Sequence, residues 1–129
     1  MIPELRWLGF SILLGLLYVF VAAGLSTRER GLVWNAGNRD VAVKPLTGVA
    51  ARAARANANF LETFPFFAAA ALAVAIAGAH TAHTAIAAQV YFWARLAYLP
   101  LYIAGIPYVR TVVWAVSLWG LLQFVEALI

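Results

Sequence analysis

Four strongly polar side chains stand at helical spacing in the middle of an otherwise apolar chain. They are separated by 3, 4 and 3 residues, and they are Arg52, Arg55, Asn59 and Glu62. This spacing places all four on one stripe of an α-helix. Polar groups in a membrane helix are costly and usually face a bundle interior or a water-filled cavity. The stripe therefore predicts one half of a functional site.

A second polar stripe and a further arginine lie closer to the C-terminus. Arg95, Tyr98 and Tyr102 stand at i, i+3 and i+7, which makes one helix face, and Arg110 opens the next predicted helix. On antiparallel helices, Arg95 and Glu62 would each lie ~15 Å from the same end of the bundle. These opposite charges can therefore meet, and the sequence leaves open whether they pair.

The two stripes and Arg110 offer guanidinium groups, an amide, a carboxylate and phenols. This inventory suits an anionic, amide-rich ligand such as a small peptide. The chain has no cysteine, so any thiol must arrive with a substrate. His80 and His83 have no Asp, Glu or Cys near them in the sequence, so we expect two exposed loop histidines and no metal site.

The composition indicates an integral membrane protein. Of the 129 residues, 65% are hydrophobic and only 11% are charged, whereas a soluble domain has about 25% charged residues. The net charge of +4 does not indicate a nucleic-acid partner, because six of the nine Lys and Arg residues cluster between positions 28 and 55. The expected surroundings are membrane lipid.

The apolar runs predict an all-α fold with four transmembrane helices in one domain, residues 1–129. The predicted helices cover residues 5–25, 47–78, 85–104 and 107–127, and about 20 residues suffice to cross the hydrocarbon core. The first run is too long for a signal peptide. The polar segment 26–46 is predicted to be a cytoplasmic loop with both termini outside, since positive charge favours the cytoplasm. Arg28, Arg30 and Lys44 are expected simply to reach lipid phosphates.

The order of these residues resembles the membrane-associated proteins in eicosanoid and glutathione metabolism, the MAPEG family, and its bacterial branch in particular. That family includes microsomal glutathione transferases, leukotriene C synthase and microsomal prostaglandin E synthase. The resemblance spans roughly residues 38–124. It rests on Arg55-x-x-x-Asn59-x-x-Glu62-x-x-Pro65, on Ala94-Arg95-x-x-Tyr98-x-x-x-Tyr102, and on Arg110.

The resemblance implies a homotrimer in the bacterial inner membrane, with glutathione as co-substrate in clefts between subunits near the cytoplasmic side. Arg110 would be the catalytic residue that stabilises the glutathione thiolate, and a lipophilic electrophile would enter from the bilayer. The implied activity is that of a glutathione transferase or peroxidase. The implied glutathione-binding or supporting residues are Arg52, Arg55, Asn59, Glu62, Arg95, Tyr98 and Tyr102.

Two departures from the family pattern keep an alternative open. Thr63 follows Glu62 where some members have Tyr, and the connection from Pro100 to Tyr108 is compact and apolar. The alternative is a non-catalytic scaffold or ligand-binding member, including a subunit of a larger membrane complex. No Ser or Asp stands beside Arg110, which favours conjugation or peroxide reduction over isomerisation. A transporter is disfavoured by the absence of internal repeats.

Overall fold

The computed structural model describes all residues, 1–129, and its regular structure is entirely helical. This confirms the predicted all-α class. Four long helices and one short helix follow in the order α1 (Pro3–Arg30), α2 (Leu32–Ala36), α3 (Gly48–Ala77), α4 (Ala82–Ile103) and α5 (Pro107–Leu128). α5 begins with Pro107 at a first-turn position, where the missing backbone N–H would have no helical partner in any case.

The prediction of a loop over residues 26–46 is wrong for about its first half, because residues 26–30 and 32–36 are helical. α1 continues to Arg30 and is closed by a bond from the Gly31 N–H to the Thr27 carbonyl, and Arg28 and Arg30 occupy its last turn, where cations interact favourably with the helix dipole. Gly31 then ends the helix at a φ of +92°, a conformation that glycine adopts readily. The five-residue α2 follows directly and ends at Gly37.

The turn between α3 and α4 is also shorter than predicted. Thr81 caps α4 in a reciprocal arrangement, in which its hydroxyl accepts from the Thr84 N–H and the Thr84 hydroxyl accepts from the Thr81 N–H. His83 is therefore helical rather than in a loop, although it remains exposed, and its ring hydrogen-bonds the side chain of Gln123. Of the two histidines, only His80 lies outside a helix.

Contacts between helix ends define the topology. The Glu29 carboxylate accepts from the backbone N–H of Thr47, so the end of α1 meets the start of α3. The Arg52 side chain reaches the carbonyl of Ile103 at the end of α4. We call this end of the bundle, which also holds the start of α5, the loop end. At the opposite end, the starts of α1 and α4 meet through a hydrogen bond from the Thr84 hydroxyl to Glu4.

Two aromatic-rich clusters form the core between α1, α3 and α4. The cluster toward the opposite end is centred on the stacked rings of Phe67 and Tyr91, whose centroids are 4.0 Å apart, and receives Phe124 from α5. The cluster nearer the loop end contains Tyr18 and Phe60, stacked at 4.6 Å. Both clusters consist of large rings between helices rich in alanine, which lets the helix backbones approach closely.

The outer surface suits a lipid environment. Large apolar side chains point outward along the long helices, including Leu13, Phe20 and Phe66. α1, α3 and α5 are long and apolar enough to cross a membrane. α4 is not among these three, and it carries the polar residues Gln89 and Arg95. The predicted integral membrane class is confirmed.

At Gly120 of α5, a glycine lies against the backbone of a neighbouring helix. A Cβ atom there would lie 2.9 Å from the carbonyl oxygen of Ala87 and 3.3 Å from the backbone nitrogen of Tyr91 on α4. At Gly24 of α1, in contrast, a Cβ atom would meet nothing within 4 Å. The α4–α5 seam therefore requires the absence of a side chain at Gly120.

This contrast gives a matched pair of stability predictions. Gly120→Ala should lower the free energy of unfolding by about 1–3 kcal/mol, because rigid backbone atoms must move apart. Gly24→Ala should leave it unchanged or raise it by up to about 1 kcal/mol, because alanine favours helix. Thermal unfolding in detergent would measure both. Equal midpoints for the two variants would contradict the close approach at Gly120.

Candidate functional site

A polar cleft of about 420 Å³ opens at the loop end between α3, α4 and α5. Its volume lies within the range of small-molecule sites. Both polar stripes and the start of α5 contribute to its wall. The lining residues are Arg55, Ala58, Asn59, Glu62, Tyr98, Tyr102, Arg110, Thr111 and Trp114.

The α3 wall carries three of the four residues of the first stripe. Arg55 and Glu62 are exposed, so a cation and an anion are both available to a ligand. Asn59 is half-buried, and its Oδ1 has no hydrogen-bond partner within the chain. A buried acceptor without a donor is costly. A ligand N–H at this position would remove that cost.

Tyr102 of α4 lies on the opposite wall of the cleft, and two guanidinium groups contact it, from Arg55 of α3 and Arg110 of α5. The Arg110 guanidinium carbon is 4.2 Å from the centre of the Tyr102 ring, and that of Arg55 is 6.0 Å away. The Arg55 Nε also donates to the Tyr102 hydroxyl at 3.3 Å. Arg110 stands in the first turn of the 22-residue α5, where the helix dipole adds positive potential. Two cations and a helix N-terminus therefore favour an anion in this part of the cleft.

Arg95 lies behind the cleft wall rather than in it. Its side chain is fully buried, and its guanidinium carbon is 4.4 Å from the Tyr98 ring centre, 5.4 Å from that of Phe60 and 5.9 Å from that of Tyr18. None of its three guanidinium nitrogens has a hydrogen-bond partner. The pair with Glu62, which the sequence left open, is therefore not formed. Arg95 turns into a box of three aromatic rings, while Glu62 faces the cleft.

Arg52 is separated from the site residues despite its helical spacing. Its Nε donates to the carbonyl oxygen of Ile103 at 2.7 Å, and its side chain runs along Gly105. It therefore satisfies a free carbonyl at the C-terminus of α4 and does not line the cleft. Its position one turn closer to the helix start brings it to the α4–α5 connection instead.

Ala58, Thr111 and Trp114 line the cleft as well, although the sequence did not assign them to the site. Trp114 follows Arg110 by one helical turn, and that i, i+4 spacing was the available signal. Its half-buried indole Nε1 has no acceptor within the chain. Thr63, the departure noted beside Glu62, does not line the cleft, and its hydroxyl lies 3.3 Å from that of buried Tyr91.

A comparison with known protein families identifies one match. The model of the MAPEG family matches residues 7–128, nearly the whole chain. No curated protein and no solved structure matches the chain.

The aromatic box around Arg95 predicts that lysine cannot replace this arginine. A planar guanidinium stacks on several rings at once, whereas the compact ammonium of lysine cannot. We expect Arg95→Lys to lower the free energy of unfolding by about 1–2 kcal/mol, seen as a lower thermal midpoint in detergent. Arg28→Lys, at an exposed position of α1, is the control. Equal midpoints for the two variants would rule out a stabilising role of the box.

Proposed function

The chain belongs to the MAPEG family, and on that premise we propose that it is a glutathione-dependent membrane enzyme. Its proposed activity is that of a transferase or peroxidase that activates the glutathione thiolate for attack on lipophilic electrophiles. The observation that carries this proposal is the placement of Arg55 and Arg110 around Tyr102 in one cleft. The proposed catalytic residue is Arg110.

The cleft residues fit the chemistry of glutathione. This tripeptide carries two carboxylates, one ammonium group, two amides and a thiol. Arg55 is suited to a carboxylate, Glu62 to the ammonium group, and the unpartnered Oδ1 of Asn59 to an amide N–H. Tyr98 and Tyr102 supply the rest of the wall. Arg52 and Arg95 support the site from outside it.

Arg110 would act by making the thiol more acidic. A free thiol has a pKa near 8.5, and a neighbouring cation favours the thiolate. Lowering the pKa of the thiol by about 2 units requires ~2.7 kcal/mol of differential stabilisation. The thiol proton would leave to water at the exposed mouth of the cleft. In conjugation, the thiolate sulfur then forms a bond to an electrophilic carbon as the leaving group departs with its electron pair.

Peroxide reduction can start from the same thiolate. The sulfur attacks one peroxide oxygen, the O–O bond breaks, and the other oxygen leaves as an alcohol after protonation. A second glutathione then converts the oxidised sulfur to the disulfide and releases water. Neither reaction requires a cysteine of the chain, which has none.

The proposal includes a four-span topology. α3 runs away from the loop end and α5 begins at the loop end, so a chain in which both cross the membrane must return through α4. We propose that the loop end faces the cytoplasm of a bacterial inner membrane, with both termini outside. We further propose a homotrimer in which a neighbouring subunit covers the open side of the cleft, since Arg55 and Glu62 are exposed in the single chain.

The pH dependence of turnover tests the role of Arg110. With glutathione saturating, Arg110→Ala should lower turnover of a lipophilic electrophile about 50-fold at pH 6.5, because a thiol pKa near 6.5 leaves about half of the bound thiol ionised, whereas a pKa near 8.5 leaves about 1%. The two rates should converge above the pKa of the free thiol. Arg28→Ala, which removes a charge outside the cleft, should leave the profile unchanged. Parallel profiles for wild type and Arg110→Ala would contradict thiolate stabilisation.

Substitutions of Arg52 and Arg55 should have different effects, because Arg52 supports the structure and Arg55 is proposed to bind the ligand. Arg55→Ala should raise the Kd for glutathione by about 10-fold or more, because a charged hydrogen bond is lost, while the thermal midpoint stays near that of wild type. Arg52→Ala should lower the midpoint, since the Ile103 carbonyl loses its donor, and leave the Kd nearly unchanged. Calorimetric titration and thermal unfolding measure the two quantities. The reverse pattern would place Arg52 in the binding site.

A further inference from the structure

The segment between α1 and α3 is a folded, basic structure at the loop end. The Glu29 carboxylate accepts from the backbone N–H and hydroxyl of Thr47, which closes the segment at its base. Arg30 donates to the carbonyl of Lys44, and Asn35 donates to the hydroxyl of Thr27 at 2.7 Å. These bonds hold the segment against the end of α1.

Two arginines of this segment converge on one indole ring. The guanidinium carbons of Arg30 and Arg39 lie 5.0 and 5.4 Å from the centre of the Trp34 ring, so the two cations are within about 10 Å of each other. The Trp34 Nε1 donates to the Val41 carbonyl at 2.8 Å, which fixes the ring. At such a separation the repulsion between two cations near the surface is weak and screened by salt, so an anion close to both would gain from two positive charges.

The backbone at Arg39 is strained in order to reach this arrangement. Arg39 has a φ of +59° and is the one residue other than glycine with a positive φ. This conformation costs free energy in a residue with a side chain. Two bonds to Asn35 hold it, from Nε to the backbone oxygen at 3.1 Å and from Nη2 to Oδ1 at 2.7 Å. Strain of this kind tends to accumulate at ligand sites.

Arg30 keeps most of its hydrogen-bonding capacity free. Of its five N–H donors, only one on Nη2 has a partner in the chain, the Lys44 carbonyl, and its buried Nε has none. Arg30, Trp34 and Arg39 line a surface depression of about 580 Å³ together with Asp40 and Val41. The depression therefore brings two guanidinium groups to one flat aromatic wall.

The position of the segment identifies the ligand class. α1 has 28 residues and is about 42 Å long, so a hydrocarbon core of ~30 Å places Arg30 beyond it, among lipid headgroups. The apolar side chains of Leu32, Val33 and Val41 are largely exposed, with Val33 at 91%. Exposed apolar side chains beside cations are typical of a surface that lies on a membrane.

We propose that this depression, the Arg30–Trp34–Arg39 cradle, binds the phosphate of an anionic phospholipid. The two guanidinium groups would hold the phosphate oxygens, and Leu32, Val33 and Val41 would contact the upper acyl chains. Cations close to an anionic membrane surface each favour such lipids. The cradle shares no residue with the cleft around Tyr102, so this assignment does not depend on the proposed glutathione chemistry.

Titration of the delipidated full chain with dioleoylphosphatidylglycerol, read by native mass spectrometry, tests the cradle. Dioleoylphosphatidylcholine serves as the lipid without net charge. We expect preferential binding of phosphatidylglycerol, and Arg39→Gln should weaken it about fivefold. Arg28→Gln removes the same charge from the same end of α1, outside the cradle, and should have a clearly smaller effect.

A gain of binding provides a test that a misfolded variant cannot imitate. Asp40 is exposed and lines the cradle as its one anion, so Asp40→Asn should strengthen phosphatidylglycerol binding. Equal losses in Arg28→Gln and Arg39→Gln would overturn the cradle and leave only general surface attraction. Unchanged affinity in Asp40→Asn, or displacement of the lipid by glutathione, would overturn it as well.

Discussion

The contact between guanidinium groups and aromatic rings is the interaction on which the rest of this structure depends. A charged side chain in or near a bilayer requires a counter-ion, water or a π face. Arg95 lies against Tyr98, Arg110 lies against Tyr102, and the two tyrosine rings are 5.5 Å apart in an edge-to-face arrangement. One continuous ladder thus links the buried charge to the cleft. It holds Arg110 in place without neutralising it.

The ladder explains why the cleft can remain electropositive. A carboxylate paired with Arg110 would stabilise the chain but would cancel the potential needed for an anion. Here the only carboxylate in the wall is Glu62, which lies on α3 and has no hydrogen-bonded partner among the arginines. Arg52 stabilises the end of α4 from outside the cleft. Structural support and binding capacity are therefore assigned to different arginines of the same stripe.

Much of this arrangement could be predicted from the sequence, because helical spacing determines which residues share a face. The all-α class and the order of the long helices follow from the apolar runs, and the cleft contributions of Asn59 and Tyr98 follow from helical spacing. The positions of the Arg95 and Arg52 side chains do not follow from spacing, since spacing cannot tell how far a helix is rotated or which carbonyl a long side chain will reach. The capping of α4 by Thr81 and the extension of α1 depend on local bonds that hydropathy does not report.

Thiolate formation on binding tests the central claim most directly. Ultraviolet difference absorbance would be recorded when glutathione is mixed at neutral pH with the purified protein and with Arg110→Ala, each at a concentration that saturates its site. We expect a thiolate band in the wild type, because a nearby cation favours the ionised thiol, and its loss in the variant. Saturated binding without thiolate in the wild type, or an equal band in both proteins, would contradict thiolate activation by Arg110.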